Sequence, residues 1–219
     1  MKHRIEGNPD YGDLTLELEP DETILVESGA MSRMGSDMEL KTRMPGGLLS
    51  GLARKFLGGE SFFLGEYRSP QGGWLSVSPS TPGMVMHRRL EGDHFLLTAG
   101  SFLACTDQVQ IRTKFGGMRS LFSKEGAFLL ECSGHGDLFF NSYGAFLERE
   151  IDGTLIVDNG HLVGWEPSLD YRIRGAGGVK QTLFSGEGLT MEFSGKGRLY
   201  LQTRTMPETA SWLTGYLRV

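Results

Sequence analysis

Five histidines, two cysteines and three glutamates that return at one place in a repeated phrase are the side chains from which this sequence could build a reactive site. A metal-dependent enzyme on a small β-fold needs two or three histidines and a carboxylate converging on one ion. The sequence holds no His-x-His pair. A redox dithiol would show as Cys-x-x-Cys and a serine hydrolase as Gly-x-Ser-x-Gly. Neither spelling is present.

The chain supplies its own control for judging such residues, because it repeats itself. "LFSKEGAFLLECSGHGDLFFNSY" (121–143) returns as "LFSGEGLTMEFSGKGRLYLQTR" (183–204). Each copy is preceded by a stretch from an opening glycine to a Gly-Gly pair, "GSFLACTDQVQIRTKFGG" from Gly100 and "GHLVGWEPSLDYRIRGAGG" from Gly160. A third such stretch, "GAMSRMGSDMELKTRMPGG", starts at Gly29. An apolar run leads into each opening glycine: "ILVESG", "FLLTAG" and "LIVDNG". Self-similarity at a near-constant period marks repeated structural units.

Aligned this way, the candidate residues lose most of their claim to chemistry. His161 falls on Ala30 and Ser101, His94 on Thr23 and Thr154, and His135 on Lys196, while His3 and His87 stand isolated. All five read as surface or turn histidines. Cys105 aligns with Met34 and Trp165, and Cys132 with Phe193. Both cysteines therefore stand where the other copies place large apolar groups. Such thiols behave as small buried hydrophobes with a raised pKa. Glu60, Glu125 and Glu187 recur in every copy and could converge on a cation. We assign them instead to accepting backbone N–H groups at a strand entrance, since shared structural needs preserve internal symmetry and reactive sites break it. No catalytic, cofactor-binding or metal residue is assigned, no cofactor is expected, and the chain reads as a non-enzyme.

The elements that must carry these residues are strands. In "LTMEFSG", Leu189, Met191 and Phe193 alternate with polar neighbours, the period of a half-buried strand. "GKGRLYLQTR" follows a glycine turn, so the two runs read as a hairpin. "ELKTR", "VQIRTK" and "LDYRIR" alternate in the same way. The expected fold is all-β with few short helices, built from three superposable modules about a pseudo-threefold axis. Their spans are 1–85, 86–146 and 147–219.

"GESFF", "GTLIVDNGHLV" and the closing "GxGxLYLQTR", above all Gln202-Thr203-Arg204, resemble the AIM-type (altered inheritance of mitochondria) mitochondrial-biogenesis family over nearly the whole chain. The resemblance implies three tandem modules similar to the tryptophan-attenuator (TRAP) subunit, a small β-sandwich, and assembly of several chains into a ring. It carries over no catalytic residues.

One segment departs from the repeat. Between the glycine pair and Glu60 the first copy holds the longer stretch "LLSGLARKFLGG". On a helix spanning 48–57, Leu48, Leu49, Leu52 and Phe56 share one half of the wheel, and Arg54 and Lys55 lie on the other. These six residues are the candidate interaction surface, toward another subunit, a partner or an anionic membrane. The tail "TMPETASWLTGYLRV" reads as a second short helix, with Pro207 at its first position, Glu208 in its first turn and Gly215 at its end. Its apolar face, Trp212, Leu213, Tyr216 and Leu217, is expected to pack on the β-body.

The 219 residues include 32 glycines, about twice the usual ~7%, mostly between short apolar runs where turns belong. A net charge of −5 argues against nucleic acid as a partner. The amino end reads as neither a secretory signal nor a transit peptide, so the expected location is the cytoplasm. The leading reading is a non-enzymatic oligomeric scaffold, most simply a homotrimer, acting at a membrane surface or in a partner complex. The alternative is a small-molecule sensor with its ligand between modules. A metal-dependent cupin-like enzyme comes third.

Overall fold

The computed structural model describes residues 1–43, 64–115, 128–174 and 190–217. These residues are mostly β-sheet, with one α-helix, α1 (Met206–Thr214). Among them no helix is long and apolar enough to cross a membrane.

Two long antiparallel pairs organise the second and third parts of the chain. Strand β8 (Val85–Thr98) pairs with β11 (Phe128–Asn141), and β12 (Phe146–Asp158) with β15 (Thr190–Gln202). In the first part both long strands are broken. β2 (Asp13–Leu18) and β3 (Thr23–Glu27) flank Glu19-Pro20-Asp21-Glu22, and β6 (Leu64–Arg68) and β7 (Gly73–Val77) flank Ser69-Pro70-Gln71-Gly72. Proline cannot donate to a ladder, and Asp21 adds a left-handed φ of 63°. The uninterrupted strands carry Gly134 and Gly195 instead, at φ 107° and 115°, and bend without stopping.

The hairpin expected within "LTMEFSGKGRLYLQTR" is therefore not formed. β15 runs straight through Gly195, which lies opposite Gly153 in an unbroken register with β12. A left-handed glycine can kink a strand as readily as reverse it, and the continuous partner decides which occurs. The expected alternation holds on the described residues: Met191 and Phe193 are buried, and Thr190, Glu192 and Ser194 are not.

Shorter strands complete each part. β4 (Met31–Met34), β9 (Phe102–Thr106) and β13 (Leu162–Trp165) pair with β7, β11 and β15. β5 (Glu39–Arg43), β10 (Val109–Phe115) and β14 (Leu169–Arg174) pair with β6, β11 and β15. β1 (Lys2–Glu6) covers the edge of β2.

Two pairings stitch the parts together, β3 with β9 and β8 with β13. They make one eleven-stranded sheet, beside a four-stranded sheet ordered β1-β2-β7-β4. The apolar clusters cross the same seams. Leu103, Ala104 and Phe139 pack with Leu14, Ile24 and Val26, and Leu96 and Leu129 pack with Trp165, Phe193 and Leu199.

Trp165 is fully buried and meets Tyr171 and Phe193 edge-on at ring separations of 5.2 and 5.3 Å. Truncating so large a side chain leaves a cavity costing about 3–5 kcal/mol. Trp165→Ala should lower the denaturant midpoint accordingly, with an unchanged slope, in equilibrium unfolding.

Candidate functional site

The residues singled out by repeat comparison fall into two groups. Leu48, Leu49, Leu52, Arg54, Lys55 and Phe56, together with Glu60, Glu125 and Glu187, lie outside the described residues. The histidines and cysteines lie within them; none of the histidines is buried, as expected, but two depart from expectation by meeting each other.

His3 and His87 are not isolated. β1 places His3 beside His87 of β8, with ring centroids 4.3 Å apart, and both rings pack on Phe139 at 5.1 and 5.0 Å. His87 Nε2 lies 2.8 Å from Asp137 Oδ1, while Arg89 donates to the other carboxylate oxygen at 2.8 Å. The Asp137 backbone N–H donates to Thr106 Oγ1 at 3.0 Å. Burial, and then the neighbouring His87, push the His3 pKa below its ordinary value, with Asp137 opposing them. The carboxylate thus orients His87 as it would in a proton-transfer pair. Repeat comparison missed this cluster because packing of β1 in one sheet against β8 in the other, not spacing, brings positions 3 and 87 together.

The other histidines make local contacts. His94 lies 3.7 Å from Glu131, and His161 Nδ1 lies 2.9 Å from the Gln202 carbonyl oxygen. Cys105 and Cys132 are buried, as expected, and burial pushes the Cys132 thiol up to about 12.

A different recurring acid emerges from the register. Glu66 lies opposite Lys41, Glu131 opposite Arg112, and Glu192 opposite Arg172. Lys114 reaches Glu131 at 2.8 Å, and Arg174 pairs with Glu192. Such exposed cross-strand pairs contribute about 0–1 kcal/mol each and fix register more than they stabilise. The alternating "ELKTR", "VQIRTK" and "LDYRIR" carried the basic half of this signal.

Gln202 and Thr203 clamp the turn between β11 and β12. The Tyr143 N–H donates to Gln202 Oε1, and Gln202 Nε2 donates to the Gly160 carbonyl, each at 2.8 Å. The Ala145 N–H donates to Thr203 Oγ1 at 2.9 Å. Gly144 has φ 74°, and a Cβ there would stand 2.6 Å from Thr203 Oγ1, so the turn requires glycine. Beneath it opens a cavity of about 210 Å³ bordered by Thr98, Ser101, Asn141, Tyr143, Gln202 and Thr205.

The profile described as mitochondrial biogenesis AIM24 matches residues 3–204, ending on this clamp. The chain belongs to the AIM24 family. An uncharacterised protein of Streptococcus pyogenes serotype M6 is 29% identical over 226 residues, covering 99% of this chain and 91% of that relative. A crystal structure of a Streptococcus pyogenes protein has a TM-score of 0.83 at 28% identity, covering 99% of both chains.

Two further features of this AIM24-family chain remain. Thr205 caps α1 by accepting from the Glu208 N–H at 3.2 Å, with proline in the first turn and Gly215 at the end, as the sequence signals. Its apolar side does not pack on the β-body as expected. Helix α1 has no buried residue, and Met206, Trp212, Leu213, Tyr216 and Leu217 are all exposed. The helix is held at its start, where Thr205 is buried and Tyr143 Oη lies 2.9 Å from Thr209 Oγ1. Its far end therefore projects.

The second feature is the residue two places before each opening glycine: Glu27, Thr98 and Asp158. Thr98 Oγ1 reaches the Leu162 carbonyl at 3.1 Å, and Asp158 accepts from the Gly160 N–H at 2.8 Å. At Glu27 burial raises the carboxyl pKa from 4.5 to about 7. The folded state thus holds this proton more tightly than the unfolded chain does. Stability from this group is full below about pH 4.5 and is lost as pH rises through 7. Glu27→Gln should stabilise the protein at pH 8 by roughly 1–3 kcal/mol and leave it nearly unchanged at pH 4, as measured by urea unfolding.

Proposed function

We propose that this AIM24-family chain is a non-enzymatic scaffold that assembles with copies of itself, most simply as a trimer, and presents an apolar surface to a partner. The observation that carries this reading is α1, whose apolar residues are exposed along a short, capped helix anchored only at its start. Contiguous exposed apolar surface on a folded protein marks an interaction site. The segment 48–57, with Leu52, Phe56, Arg54 and Lys55, lies outside the described residues and enters this reading from the sequence alone, as a second candidate interaction element.

The same reading takes the chain as three TRAP-like modules about a pseudo-threefold axis. Its support is the recurrence of one pairing scheme. β6, β11 and β15 each lie between two partners, β3 with β5, β8 with β10, and β12 with β14. Strands β8 and β12 begin at Val85 and Phe146, beside the module boundaries read from the sequence.

Light scattering at micromolar concentration should give a mass of several chains, and a strictly monomeric mass would sink the reading. Trp212→Ser with Tyr216→Ser changes only exposed residues, so stability should move by less than about 0.5 kcal/mol. The same pair should abolish either self-association or sedimentation with anionic vesicles. If neither is lost, α1 is not the presenting surface.

A sensor with its ligand between modules is favoured by one specific observation. Asn141 Oδ1 is buried without a hydrogen-bond partner at the border of the 210 Å³ cavity, and an orphaned buried acceptor calls for an explanation. No side chain bordering that cavity is charged, so neutral polar compounds are the ones to screen by thermal shift.

A further inference from the structure

We propose that the outer edge of β12 in one chain pairs antiparallel with the outer edge of β4 in a second copy, in the register the chain already uses twice within itself. The inference rests on the reading that the chain self-associates, and it specifies where.

At the first internal seam Leu25 lies opposite Cys105 and Val26 opposite Ala104. At the second, Leu96 lies opposite Trp165 and Leu97 opposite Gly164. Counted from the opening glycines Gly29, Gly100 and Gly160, both seams obey one rule. The residue four before one glycine (29 − 4 = 25, 100 − 4 = 96) faces the residue five after the next (100 + 5 = 105, 160 + 5 = 165). Applied once more, the rule sets Ile156 (160 − 4) opposite Met34 (29 + 5), and Val157 opposite Arg33. Among the described residues that third seam is unmade: β12 ends the eleven-stranded sheet and β4 ends the four-stranded one.

Exposure shows what the seam is missing. Leu25 and Leu96 are 4% and 6% exposed, and Cys105 and Trp165 are both 0% exposed. Their counterparts Ile156 and Met34 are 56% and 37% exposed. Being an edge is not enough to carry this argument, since β5, β10 and β14 each have one partner, in all three parts of the chain alike. Only this seam is filled twice and empty once.

Edge shape points the same way. β9 and β13 each carry a one-residue bulge, at Leu103 and Val163, between two positions paired to adjacent residues of β11 and β15. β4 has the same bulge at Ser32, although no described strand pairs with its outer side. β4 therefore presents to solvent the edge that β9 and β13 present to β3 and β8. An open apolar strand edge is a liability unless it is covered. Among the described strands the edge with the matching register belongs to β12, which makes a second copy the fitting occupant.

One difference marks this seam as a contact between chains. Ala104 and Gly164 stand where β4 has Arg33, and at Gly164 a Cβ would come within 2.6 Å of the Leu96 carbonyl oxygen. Arg33 instead reaches out to Asp13 at 2.6 Å. Joining one surface to a different one is a heterologous contact, which closes into a ring or extends as a filament according to its rotation.

The test uses the full chain carrying Met34→Cys together with Ile156→Cys, treated with a short bis-maleimide. The native thiols are buried and serve as silent controls. Covalent dimers and larger species on a denaturing gel are expected from the double variant, with each single variant remaining at the mass of one chain. Ile156→Lys should lower the mass from light scattering at unchanged circular dichroism. If the wild type is oligomeric, yet the double variant gives no intermolecular link and Ile156→Lys leaves the mass unchanged, this seam is wrong while self-association stands. A link formed only within one chain would overturn the seam as well. A monomeric wild type removes both.

Discussion

Backbone pairing between a short strand and the long strand of the preceding part of the chain is the interaction on which the rest of this molecule depends. At the two internal seams, β3 with β9 and β8 with β13, the opposed residues are Leu25 with Cys105 and Leu96 with Trp165. All four are buried, and the apolar clusters on either side run across the seams without interruption. No part of the chain closes its core alone. Leu103 and Phe139 complete the cluster around Leu14, while Leu96 completes the one around Phe193. A strand that must pair on both edges has little freedom of register, because a slip of one residue turns every buried side chain outward.

Much of this was legible in the sequence because it depends on period. The alternation that buries Met191 and Phe193 and leaves Glu192 half-buried can be read directly, and so can the apolar settings of Cys105 and Cys132. The α1 signals, Pro207, Glu208 and Gly215, sit where capping requires them. What the sequence hid depends on partners. Gly195 marks a change of direction, but only the opposing strand β12 decides between a turn and a kink. His3 and His87 lie far apart in sequence and meet through β1, an element outside the repeat. The apolar side of α1 has the pattern of a packed helix, and no periodicity reveals whether the surface beneath it exists.

The candidate site was less legible still. The acids that caught attention, Glu60, Glu125 and Glu187, lie outside the described residues, whereas Glu66, Glu131 and Glu192, a few positions on, face a row of basic residues across the ladder. Repetition alone cannot separate a functional acid from one that pins register. The residues on which the proposed assembly rests are those where the repeat fails: Ile156 and Met34, exposed where their counterparts are buried, and the projecting α1. Internal duplication thus works as a reference state, in which each copy shows what its siblings do when no special demand is made of them.

The prolines at 20 and 70 have a consequence for motion. In β11 and β15 a single ladder runs the length of the strand, so opening either half strains hydrogen bonds in the other. In the first part of the chain Pro20 and Pro70 divide that ladder, and β1-β2-β7-β4 forms a sheet of its own. This four-stranded sheet can open as a cooperative unit without breaking a strand pair of the larger sheet. Its amides are accordingly the ones whose hydrogen exchange should proceed by sub-global opening, while those of β11 and β15 wait for the whole molecule to unfold.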